Sequence, residues 1–227
     1  MNKNLKAEAD YLYLILASLF ITALVVCNLI ANKFVTVDFG IPGFVFTISA
    51  GVLPYPITFL ITDILSEIYG QKKTNKVVFA GFGALVFTMF ILWMGSLFPA
   101  TESSPVSDSL YQTAYGNSWR VIMSSMIAYT LAQYVDVKLF HFWKNLTKGK
   151  YLWLRNNAST VLSQLVDTTL VILVLFAGEL PWPTIGAYIV SGWTFKALIA
   201  LLDTPFLYLS TYFIRRRFKL KFAAEVY

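Results

Sequence analysis

Six apolar stretches, each about as long as a bilayer core is thick, dominate this chain and leave little room for any other kind of fold. They run at about 11–31, 45–68, 77–98, 119–142, 157–178 and 184–213. A helix needs roughly 20 mostly apolar residues to cross the hydrocarbon region, and each stretch meets that length. Short connectors punctuate them. Gly40, Pro42 and Gly43 follow the first, Gly70 to Asn75 the second, and Pro181-Trp182-Pro183 the fifth. Pro99 to Asn117 forms a longer polar loop after the third. Of 227 residues, 13% are charged, against about 25% in a soluble domain. The expectation is an all-α membrane protein, a single six-helix transmembrane domain over residues 1–227. Lys3 and Lys6 ahead of an apolar run imitate a secretion signal. That run is too long and no A-x-A site follows it, so it reads as a retained first helix.

The basic residues orient the bundle. Lys3 and Lys6, then Lys72, Lys73 and Lys76, then Lys144, Lys148, Lys150 and Arg155 fall on one side. Arg215, Arg216, Arg217, Lys219 and Lys221 join them, making fourteen of the eighteen Lys and Arg. By the positive-inside rule both termini are expected in the cytoplasm. The net charge of +6 therefore reads as topology and contact with lipid headgroups, and no nucleic-acid partner is expected. The lone Cys27 lies in an apolar span and cannot form an intramolecular disulfide. Trp93, Trp143, Trp153 and Trp182 fall near span ends, as interfacial anchors do.

Charges inside the spans carry the functional signal. A charge at the bilayer centre costs roughly 2.5 to 3.5 kcal/mol on insertion scales, so it must pair, face a wet cavity or neutralise. Asp63 and Glu67 are four residues apart on one helix face, about 6 Å from each other. Gln133 and Asp136 share a face of the fourth span. Ser159, Thr160, Gln164, Asp167 and Thr168 form a polar stripe on the fifth, and Lys196 and Asp203 lie on one face of the sixth. Asn28 and Asn32 stand near the outer end of the first. Trp193, three residues before Lys196, is placed to stack on a ligand. Lys196 is expected to pair with Asp167 or Asp63. A carboxylate accepts the paired N–H donors of a guanine-like edge, Gln bonds a ring acceptor, and an aromatic covers the face, in a pocket otherwise apolar. The same parts suit a proton relay. The string Gln133-Tyr-Val-Asp136 recurs as Gln164-Leu-Val-Asp167, which hints at two three-span halves in inverted orientation.

Several chemistries find no support. The chain has no G-x-x-x-x-G-K-[ST] loop for ATP and no H-E-x-x-H. One histidine, His141, and one cysteine make a poor zinc site. No enzyme activity, metal or cofactor is expected.

The run Leu53-Pro-Tyr-Pro-Ile-Thr-Phe-Leu-Ile-Thr-Asp63-Ile-Leu-Ser-Glu67-Ile-Tyr-Gly70 resembles the signature of the queuosine precursor transporter family, also called VUT. The likeness continues through Ala128 to Lys138 with Gln133 and Asp136, through Asn157 to Thr168, and through Phe195-Lys196-Ala-Leu. Asn28 at the end of the first span also fits. The resemblance implies a bacterial inner-membrane importer of 7-cyano-7-deazaguanine, its aminomethyl form or queuine for tRNA modification. It also implies the six-helix architecture of the substrate-binding subunits of energy-coupling-factor transporters. Those subunits dock on an energising module through an A-x-x-x-A pattern in the first helix. Here that helix offers Ala17 and Ala23 at another spacing, so no energising ATPase module is expected. A homo-oligomer is compatible with this reading.

On this reading the substrate residues are Asn28, Asp63, Gln133, Gln164, Asp167, Thr168, Trp193 and Lys196. Glu67, Asp136 and Asp203 serve gating or proton coupling. The rival readings are an ion- or proton-coupled transporter of another small polar solute, and a membrane-embedded enzyme or accessory subunit.

Overall fold

The structure, a computed structural model, describes residues 3–38, 40, 45–116, 118–147, 152–220 and 226. Among these residues, seven helices and one hairpin follow in the order α1 (Lys3–Leu29), β1 (Phe34–Asp38), β2 (Val45–Ser49), a 3-10 turn (Ala50–Val52), α2 (Tyr55–Tyr69), α3 (Gln71–Ser96), α4 (Asp108–Tyr115), α5 (Ser118–Leu146), α6 (Leu152–Phe176) and α7 (Trp182–Phe218). Among the described residues, five helical stretches are long and apolar enough to cross a membrane: Asn4–Leu29, Ala50–Tyr69, Lys72–Ser96, Asn157–Phe176 and Trp182–Phe218. The expected span at 119–142 falls on α5, a helix of 29 residues. Several α5 side chains, Gln133 and Asp136 among them, lie outside the described residues.

The all-α class holds apart from one short hairpin, but the second expected span, 45–68, starts later than expected. Residues 45–49 are a strand, and the helix starts only at Tyr55. Val-Phe-Thr-Ile-Ser is β-branched and aromatic, which suits a strand. Pro54 and Pro56 then fix the helix start: Pro54 caps α2 and Pro56 sits in its first turn, where a missing N–H costs nothing. The strands pair antiparallel, Val35 opposite Ile48 and Val37 opposite Phe46. One hairpin face packs Phe46 and Ile48 on Phe195 of α7, with Leu198 and Ile199 alongside. The loop at 99–117 also gains structure, the short helix α4. Ser107 caps it by accepting from the Leu110 amide, and Asp108 lies in its first turn, where the helix dipole favours an acid.

Two glycines answer to geometry. Gly70 alone separates α2 from α3, with φ at 80°, a conformation that L side chains avoid. Gly51 lets the 3-10 turn lie directly on α1, since a Cβ there would stand 2.2 Å from the Cys27 carbonyl oxygen.

The core gathers Leu16, Phe20 and Leu24 of α1 with Ile61, Ile64, Leu65 and Ile68 of α2 and Val77, Val78 and Leu85 of α3. A second bundle half packs α5 along α6 and α6 along α7, while α2 bridges to α7. Large apolar side chains such as Leu19, Phe79, Phe87, Leu131, Leu202 and Phe206 point outward, as lipid-facing helices require. At one end Arg215 of α7 forms an ion pair with Glu67 of α2, and Arg217 reaches Glu8 of α1 at 2.8 Å. At the other, Arg120 of α5 donates to the Val174 carbonyl at 3.1 Å and pairs with Glu179 at 3.4 Å.

Candidate functional site

The polar stripe of α6 and the polar face of α7 meet at one buried ion pair. Lys196 Nζ lies 2.8 Å from Asp167 Oδ2. Both side chains are almost wholly buried, at 9% and 4% exposure. Tyr55 donates its hydroxyl to the same Oδ2 at 3.3 Å. Its ring also lies under the ammonium, with the centroid 4.4 Å from Nζ, a cation–π contact. The two prolines that start α2 put Tyr55 in its first turn and bring it to this pair. The alternative partner for Lys196, Asp63, lies elsewhere.

An ion pair buried in this way is rarely there for stability alone, because desolvating two charges offsets most of their attraction. Its surroundings show what it faces. Asp167 Oδ1 accepts no hydrogen bond from the described residues. A carboxylate offers about four lone-pair sites, and Lys196 and Tyr55 take two. The neighbouring Thr168 hydroxyl is buried with no partner among the described residues. Asp167 and Thr168 both line a cavity of about 80 Å³ that is partly open to solvent.

The walls of the cavity come from every part of the bundle that could carry them. α7 contributes Tyr188, Gly192 and Lys196, spaced by four on one face. α6 contributes Asp167, Thr168, Val171, Ile172, Leu175 and Phe176. The end of α1 supplies Cys27, Asn28 and Ala31, α5 supplies Val121 and Ser125, and the hairpin supplies Phe34, Thr47, Ile48 and Ser49. Phe34 stacks on Tyr188 with centroids 4.7 Å apart, and Phe176 meets Phe34 edge-on at 5.5 Å. The cavity is thus a mostly apolar chamber with aromatic faces and a few unspent polar groups, the general form of a small-molecule site.

The expected site residues divide. Asn28, Asp167, Thr168 and Lys196 line the cavity together. Asn28 spends its amide N–H on the Leu24 carbonyl of its own helix at 2.8 Å. Gln164 is buried one turn from Thr168, its Oε1 without a partner among the described residues, and it is not part of the wall. Trp193 is also outside the wall, its indole N–H donating to the Val161 carbonyl at 2.9 Å. Gln133 and Asp136 have side chains outside the described residues. Asp63 and Asp203 both line a second, smaller cavity of about 30 Å³ between α2, α6 and α7, with Asn157, Thr160 and Thr204. Glu67 stands half exposed at the end of α2, paired with Arg215.

Four aromatic members of the first cavity were not among the candidates: Phe34, Tyr55, Phe176 and Tyr188. Tyr188 had a usable signal, two turns before Lys196 on the same face. Tyr55 stood between two prolines inside the motif that carries the family resemblance.

The fold is a bundle of long apolar helices with a partly open, mostly apolar cavity that has a buried ion pair in its wall. The chain belongs to the family described as "Putative vitamin uptake transporter", whose model matches residues 49–210. That is a family of transporters, not of enzymes. The chain is 31% identical over 163 residues to the "Probable queuosine precursor transporter" of Bacillus subtilis (strain 168), covering 71% of each chain. It is 26% identical over 163 residues to the "Queuosine precursor transporter" of Escherichia coli (strain K12), covering 66% of this chain and 62% of that one. A "Probable queuosine precursor transporter" of Haemophilus influenzae is 27% identical over 129 residues, or 56% of this chain and 51% of that one. No solved structure matches the chain.

Proposed function

We propose that this protein imports queuosine precursors of the 7-deazaguanine type across a bacterial inner membrane, through a six-span bundle with both termini in the cytoplasm. One observation carries the reading: Asp167, held among the described residues by Lys196 and Tyr55 through Oδ2 alone, lines a partly open cavity with aromatic walls, with Thr168 beside it. A guanine-type edge presents two adjacent N–H donors, and the carboxylate accepts both. Phe34, Phe176 and Tyr188 offer faces for the ring. Lys196 and Tyr55 hold the carboxylate in place. The names of the relatives supply the solute class. Glu67 and Asp203 stand outside the chamber and serve gating or coupling. Asp63 belongs with Asp203 in that role, as their shared cavity supports.

Adenine lacks the paired donors, and burying an unmatched carboxylate against it is costly. Purified protein is therefore expected to bind 7-cyano-7-deazaguanine at least tenfold tighter than adenine, with Asp167→Asn eroding the difference. Uptake in a host unable to make the precursor, read as tRNA queuosine, is the cellular counterpart. Adenine binding as tightly as the deazaguanine would sink this assignment. So would no binding of either together with unmodified tRNA.

The orientation has its own test. In a Cys27→Ala background, Ser103→Cys and Lys72→Cys should react with an impermeant thiol reagent from opposite sides of sealed cells. Equal labelling from outside refutes the cytoplasmic placement of both termini.

A further inference from the structure

We propose that the chamber selects neutral bases and rejects cationic ones, an inference that rests on the deazaguanine reading above and sharpens it. Among the described residues of the wall, Asp167 and Lys196 are the only acidic and basic side chains, and they are paired with each other at 2.8 Å. The remaining titratable members are Cys27 of α1, Tyr55 of α2 and Tyr188 of α7, each neutral when protonated. α5 and the hairpin contribute none. A ligand ammonium entering this space finds one carboxylate, already matched by a lysine. It finds one aromatic face beside that carboxylate, and the same lysine lies over it at 4.4 Å. Both features already neutralise an internal cation, although the carboxylate keeps acceptor sites for uncharged N–H donors. A second positive charge would leave the site with a net charge and no counter-ion, in a chamber walled mainly by apolar side chains. Such a ligand must shed its proton to bind. A nitrile in the same position brings no charge and meets no such penalty.

The candidate solutes differ in this one respect. The cyano form is neutral, whereas the aminomethyl form carries an amine with a pKa of about 10 if it resembles the lysine ammonium. Only about one molecule in a thousand is then neutral at pH 7. The cyano base is expected to bind between about tenfold and a thousandfold tighter than the aminomethyl base at that pH. The gap should close by up to about tenfold per unit as pH rises toward the amine's own pKa. The protein is not the source of that trend, so affinity for the cyano base should stay level over the same range.

The experiment is calorimetric titration of the purified full-length protein with both bases at pH 6.5, 7.5 and 8.5. Ser125→Asp, which adds a carboxylate to the chamber wall, is expected to raise affinity for the aminomethyl base at least tenfold and to narrow or reverse the preference. Lys196→Met should act in the same direction by freeing Asp167. Because it also removes the buried pair, Ser125→Asp is the deciding variant. The inference is overturned if the wild type binds the aminomethyl base as tightly as the cyano base at pH 6.5, or if the gap ignores pH. A folded Ser125→Asp protein with an unmoved ratio overturns it equally. In each of those cases the deazaguanine site itself still stands. Binding of neither base to folded wild-type protein fails the functional reading, and this inference with it.

Discussion

Lys196→Ala is expected to abolish uptake and to lower stability by about 3 to 5 kcal/mol, the cost of stranding one partner of a buried ion pair. The stranded group is Asp167, which is 3% exposed and would keep only the Tyr55 hydroxyl. Removing both charges, as Lys196→Met with Asp167→Leu, should restore much of the folding because two apolar side chains need no counter-charge. It should not restore transport, because the acceptor for the base is gone. Thermal unfolding in detergent and monodisperse yield measure the first effect, and uptake measures the second. Wild-type stability and uptake in Lys196→Ala would reduce the pair to tolerated polarity.

Gly51→Ala is expected to be the most damaging small substitution in the chain. Its new methyl would stand 2.2 Å from the Cys27 carbonyl oxygen and 3.2 Å from the Ala31 Cα. Both are backbone atoms of the first helix and its end, so no rotamer change relieves the clash. The 3-10 turn would have to lift off α1, taking Ser49 and the hairpin with it. A penalty of about 3 kcal/mol, at the upper end for overpacking, is expected. Gly83→Ala is the control. A Cβ there meets nothing within 4 Å, and mid-helix Gly to Ala is favourable by roughly 0.5 to 1 kcal/mol. Melting temperatures of the two variants should therefore move in opposite directions, and equal shifts would argue against the close approach of turn and helix.

The pair was readable in outline from the sequence, because a lysine in an apolar span must find a partner. Periodicity along a helix gives depth and face, but it does not say which helix lies opposite. Depth alone sets Asp63 and Asp167 as equal candidates for Lys196, and only packing separates them into two cavities. Hydropathy likewise treats residues 45–52 as the start of a span. Apolar strand and apolar helix look alike at that length, and the discriminating marks were Pro54 and Pro56. Aromatic side chains were the hardest to read. Phe34, Phe176 and Tyr188 could have been lipid anchors or core on composition alone, and their convergence depends on the hairpin folding back over α7. Trp193 illustrates the reverse: near Lys196 in sequence, it turns to the backbone of α6.

Helix α7 is 37 residues long, or about 55 Å at 1.5 Å per residue, and Pro205 interrupts its hydrogen-bond ladder. With no N–H to offer the carbonyl one turn back, the rod is softer there than elsewhere. The segment before Pro205 carries Tyr188, Gly192 and Lys196. The segment after it carries the arginines that hold Glu67 and Glu8. Arg215 lies ten residues past the proline, so a bend of about 10° at that point swings it by roughly 2.6 Å. That displacement is enough to part a guanidinium from its carboxylate. A bend at this joint would let the arginine half part from its carboxylates while the half carrying Lys196 stays in place.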